Sequence, residues 1–326
     1  MPRRAFLWIV LPLLPLLAGF VVLDVVNGTQ TLDPVTGTIV SDTSFTPHLP
    51  ALSDLHAADR GLRVFGGMAT YVSVGLFHIC ACLAVIALMG LHIRRMEPAS
   101  RQQALIVLGA LAVLLAIISV AARQDGWNGA LTLTYRNICA LVHRADVLPD
   151  LMPKSCTGAG ISLFAWAALL PYMFGLAAAA CAAAVTSTAF RPLKAGDAPE
   201  TLASRAALVE QTFHATAFVL VTSTITMMLF YQIPLPLIEN PDALEQMTAY
   251  ARSMTLFWGV VFSLTLVAIF GPGQLMLEDD GARPGQIPEA LTPRGTRKQL
   301  TSTLTALAPL LIGASGTILE QLAGAL

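Results

Sequence analysis

The stretch Tyr71–His92, YVSVGLFHICACLAVIALMGLH, decides the class of this chain. It carries no formal charge and is long enough for an α-helix to cross ~30 Å of hydrocarbon, which takes ~20 residues. At about 100° per residue, Tyr71, Gly75, His78, Cys82, Val85, Met89 and His92 share one narrow face. The opposite face is Val, Ile, Leu and Ala. Four of the seven, His78, Cys82, Met89 and His92, carry atoms that can ligate a transition metal or a haem iron.

Composition extends this reading to the whole chain. Hydrophobic residues are 55% of the 326 and charged residues 12%. Soluble domains carry about a quarter charged residues, so much of this chain lies where charge is costly. The expected fold is an all-α integral membrane protein with six transmembrane helices plus a C-terminal amphipathic helix. The spans fall at about 5–26, 69–93, 104–122, 158–186, 212–232 and 253–271. After Arg3 and Arg4, the apolar run Ala5–Leu23 is longer than a signal-peptide core, so it reads as an uncleaved first span. The transmembrane domain is 1–272, with outer caps at 27–68 and 123–157. Residues 273–326 form a cytoplasmic linker and an amphipathic tail helix.

Orientation follows from the basic residues. Arg3, Arg4, Arg94, Arg95, Arg101, Arg294, Arg297 and Lys298 gather on one side, which places both termini in the cytoplasm. The expected location is a bacterial inner membrane. The outer loop 123–157 then holds Cys139 and Cys156. In an oxidising compartment these two would close a loop worth about 3 kcal/mol. The cap 27–68 reads as mostly irregular, with a short helix within Ser53–Arg63. His48, Asp54 and His56 in it form no recognised metal spacing.

Several stretches point to helix packing. Span four contains LAAAACAAAV from Leu176 to Val185, small residues that let helices approach closely in lipid. Pro171 inside it should kink the helix. Span five places Thr212, Thr216, Ser223 and Thr226 on one face. Such hydroxyls bond across helices or back to their own i−4 carbonyl. The sharper alternative is a polar lining for a small neutral solute. No Asp, Glu, Lys or Arg sits deep in any span, which weighs against an ion-coupled transporter. The tail from Lys298 to Leu326 carries the stripe Leu300, Leu304, Leu307, Leu311, Ala314 and Ile318. It fits an interfacial or partner-binding helix first, and a short seventh span second.

His78 and His92 are fourteen residues apart, about 21 Å along a helix axis. The His-x13-His spacing resembles one helix of the cytochrome b type of di-haem protein, over this span alone. That resemblance implies one haem b in each half of the membrane, with Gly75 giving clearance to the macrocycle. The only other intramembrane histidine is His214, near the cytoplasmic end of span five. His92 with His214 is therefore the one bis-histidine pair the residues offer. His78 reads first as a buried polar group bonded to a hydroxyl or a backbone carbonyl of a neighbouring span. Cys82 and Met89 read first as apolar filling, and as metal ligands second.

Catalytic motifs are missing. There is no H-E-x-x-H, G-x-S-x-G, P-loop, Rossmann glycine pattern or C-x-x-C. No basic patch suggests nucleic acid. The leading expectation is a sensor, scaffold or subunit of a membrane complex without its own catalytic site. It would contact lipid, and a partner or a second copy through its small-residue faces and the 298–326 tail. The second is an electron-transfer subunit binding b-type haem or a transition metal. The third is a passage for a small neutral solute.

Overall fold

The computed structural model describes residues 10–11, 13–27, 31–32, 39–40, 57–121, 163–188, 199–233, 235, 241–281 and 304–314. Within them lie seven helices: α1 (Leu13–Asn27), α2 (Ala57–Arg95), α3 (Pro98–Ala121), α4 (Leu163–Thr188), α5 (Pro199–Gln232), α6 (Pro241–Gly281) and α7 (Leu304–Ala314). A two-residue pair, β1 (Thr31–Leu32) with β2 (Ile39–Val40), is antiparallel, with Thr31 opposite Val40. This strand pair lies in the cap expected to be mostly irregular, and the short helix expected within Ser53–Arg63 is in part the start of α2 at Ala57.

Five helices are long and apolar enough to cross a membrane: Ala69–Arg95, Pro98–Ile117, Leu170–Thr188, Ala203–Gln232 and Thr248–Gly273. They match five of the six expected spans, and the chain is an integral membrane protein of several passes. Within the first expected span the described residues include a 15-residue apolar helix, α1. Several helices outrun their apolar windows. α2 is 39 residues long and starts at Ala57, well before the expected 69. Hydropathy marks only the lipid-embedded part of such a helix, so the polar turns continuing it are missed. Prolines open α3, α5 and α6, where the missing N–H costs nothing. His92, Arg94 and Arg95 end α2, where cations complement the helix dipole.

α4 organises the bundle. It packs against α2, α3 and α5, whereas α2 and α3, joined only by Met96 and Glu97, scarcely touch. The alanine-rich sequence explains this position. Ala182, Ala183 and Ala184 have no exposed surface, and their small side chains bring neighbouring backbones close. On one side of α4, Ala178 and Val185 join Cys82, Val85, Met89 and Ile93 of α2 and Val219 of α5. On another, Ala180, Ala183 and Ala184 join Val107 and Leu111 of α3 and Leu13 of α1.

The narrow face of α2 is therefore its packing face. Tyr71, Gly75, His78, Cys82, Val85 and Met89 are all buried, and His92 is half-buried. Leu76, Phe77, Leu83 and Leu91 point outward. Apolar outer faces of this kind suit lipid.

Candidate functional site

The most developed polar site centres on His78, which is fully buried. Three helices supply its surroundings. Nδ1 lies 2.7 Å from Thr222 Oγ1 of α5. Nε2 lies 3.1 Å from the Pro171 carbonyl of α4 and 3.3 Å from Ser223 Oγ. Cys82 Sγ, one turn along α2, is 3.4 Å from Nε2. The expected hydroxyl or carbonyl partner on a neighbouring span is present in both forms.

Proton accounting shows what this arrangement can do. A carbonyl only accepts, so Nε2 donates to Pro171. In a neutral ring, Nδ1 then accepts from the Thr222 hydroxyl. That hydroxyl has one proton and a second acceptor, the Val219 carbonyl at 2.9 Å. In a protonated ring, Nδ1 donates to Thr222, which donates to Val219. Both states leave the two ring nitrogens and the Thr222 hydroxyl hydrogen-bonded. The node joins α2, α4 and α5 at the proline inside α4.

Glycines make the close approach feasible. A Cβ on Gly175 would lie 3.1 Å from Ser223 Oγ and 3.3 Å from His78 Nε2. Gly75, which the haem resemblance assigned to macrocycle clearance, faces the Pro171 ring: a Cβ there would be 3.5 Å from Pro171 Cγ. Behind Gly175 is a largely apolar cavity of about 60 Å³, bounded by Leu16, Tyr172, Leu220, Met227, Trp258 and Phe262, among others. The Tyr172 hydroxyl is buried without a hydrogen-bond partner among the described residues.

The hydroxyl face of α5 is buried and closes mainly on its own helix. Thr212, Thr216 and Thr226 donate to the carbonyls of Leu208, Thr212 and Thr222, at 2.7, 2.7 and 2.8 Å. Ser223 alone of the four turns to another span, toward His78. Thr222, the shortest contact to His78, lies off the stripe that periodicity picks out. Three consecutive hydroxyl residues in a membrane span, Thr222, Ser223 and Thr224, are the available signal.

The other candidates lie apart from this node. Met89 is buried in the apolar cluster between α2 and α4. His92 Nε2 is buried and has no hydrogen-bond partner among the described residues. His214 is exposed, with its ring 5.3 Å from that of Phe213. Among the described residues, no hydrogen bond or ring contact joins His92 to His214, and no group of three or more His, Cys, Asp or Glu could hold a metal. Cys139 and Cys156, with His48, Asp54, His56 and His143, lie outside the described residues.

No protein-family model, curated protein or solved structure matches this chain.

Proposed function

We propose that this protein is a non-catalytic sensor, scaffold or subunit of a membrane complex, held in a bacterial inner membrane with its N-terminus in the cytoplasm. One observation carries the reading. His78 commits both ring nitrogens to contacts within the bundle, so the chain's most promising ligand acts as a tie between three spans.

The partner-facing surface in this reading is α3. Over an apolar eighteen-residue stretch within Pro98–Ile117 only 22% of the residues are buried, against 61% for such a stretch within Thr248–Gly273. Leu105, Ile106, Val113 and Ile117 all point outward from α3. A photoreactive residue at Ile106 or Val113, illuminated in native membranes, should give a protein adduct of defined mass. The same residue at Leu264 on α6 should give lipid adducts. Lipid adducts at all three positions would contradict the role of a subunit.

A second reading keeps one specific support. The buried, unpartnered Nε2 of His92 is the kind of atom a metal or a b-type haem would satisfy. In that reading His92 and His214 supply the axial ligands.

A further inference from the structure

We propose that α7 is inserted in the membrane, antiparallel to α6, as a seventh segment crossing toward the side on which α6 begins. This goes beyond the functional reading and does not depend on it.

The register sets the depth. A Cβ on Gly259 of α6 would lie 2.6 Å from the Pro309 carbonyl oxygen and 3.1 Å from Leu310 Cα. A Cβ on Gly313 would lie 2.8 Å from the Thr255 carbonyl oxygen and 3.1 Å from Leu256 Cα. As α7 advances from Pro309 to Gly313, its contacts on α6 retreat from Gly259 to Thr255. The two helices are therefore antiparallel, with each glycine seated on the other's backbone. The Leu310 N–H donates to Ser263 Oγ at 3.2 Å, a third contact in the same region. All of these α6 residues lie inside the apolar window Thr248–Gly273. Gly313 sits level with Thr255, about seven residues or ~10 Å along α6 from Thr248 at 1.5 Å per residue. α7 thus runs at mid-membrane depth, not along the surface.

Two further features agree. The outward side chains of α7 are Leu304, Leu307 and Leu311. They would be costly to expose to water, but they suit lipid beside Leu256, Val260 and Leu264, the outward residues of α6. The sequence from Gln299 to Leu319 carries no charge, and Lys298 and Glu320 flank it. Its length, about twenty residues, matches one crossing. Contact between backbones at glycine is a recognised way for helices to associate in lipid.

The test uses the full-length chain in cells. Alkaline phosphatase, active only outside the cytoplasm, and a fluorescent protein that matures only inside it are fused after residue 290 and, separately, after residue 326. Insertion of α7 predicts opposite signals at the two positions. The same signal at both positions would overturn the proposal. A second measurement probes the docking itself: Gly313→Leu, whose side chain would meet the Thr255 carbonyl oxygen and Leu256 Cα, should lower the midpoint of unfolding in SDS. An unchanged midpoint would place α7 elsewhere and equally overturn it.

Discussion

Replacing Ala183 by leucine should lower the stability of the bundle by about 1–3 kcal/mol, the usual cost of overpacking a close-packed interior. Ala183 has no exposed surface and lies in the cluster formed with Val107, Leu111 and Leu13. Three added carbons have no free space to enter, so α3 and α4 must separate or adopt strained rotamers. Separation would also disturb Ala180 and Ala184, which share the contact. The measurement is the midpoint of unfolding on titrating the detergent-solubilised protein with SDS. Val113→Leu is the control, because Val113 is 60% exposed and the change keeps an outward surface apolar without filling the interior. An unchanged midpoint for Ala183→Leu would mean that α4 is not the helix around which the bundle packs.

His78→Ala should be similarly damaging, at about 2–4 kcal/mol, the range for truncating a large buried side chain. The lost ring leaves a void near the 60 Å³ cavity and removes the polar contacts to Pro171 and Thr222. Thr222→Val should cost less, about 1 kcal/mol, as is typical for one interhelical hydrogen bond in a membrane. Thr222 keeps the Val219 carbonyl as a second acceptor, so its hydroxyl is not wholly dependent on His78. The ordering of the two variants is the informative result. Equal midpoints for His78→Ala and the parent protein would remove His78 as a structural tie.

Much of this architecture is legible in the sequence because bilayer thickness imposes a length that hydropathy can read. Five apolar runs become five long helices for that reason. The Tyr71–His92 face is legible as a face, since helical periodicity groups its residues whatever they do. Periodicity does not say what the face touches. Gly75 reads from the sequence only as clearance for a haem, and in the fold it lies against Pro171. That placement depends on α4, distant in sequence. The class of His78's partner was foreseeable, because a buried polar group in lipid needs a hydrogen bond. The identity of Thr222 was not, because it depends on the rotation of α5 relative to α2.

The tail was harder to place. Its leucine stripe at 304, 307 and 311 fits an interface as well as lipid, and Pro309, Gly313 and Gly316 speak against a simple span. Gly259 and Gly313 gain meaning only as a pair, separated by more than fifty residues. Span and helix differ for another reason: α2 begins at Ala57 although its apolar span begins at Ala69, as the hydropathy indicates, because polar turns that continue a helix carry no hydropathy signal.

The central proposal is that the histidines of the bundle, His78 first among them, act as structural groups and not as cofactor ligands. It is tested most directly by an absorption spectrum and metal analysis of the full-length protein, purified from membranes in mild detergent after growth with haem precursor and trace metals. The account predicts a colourless protein without stoichiometric metal. A Soret band or bound metal that disappears in His92→Ala and His214→Ala would contradict it and establish the cofactor-binding alternative.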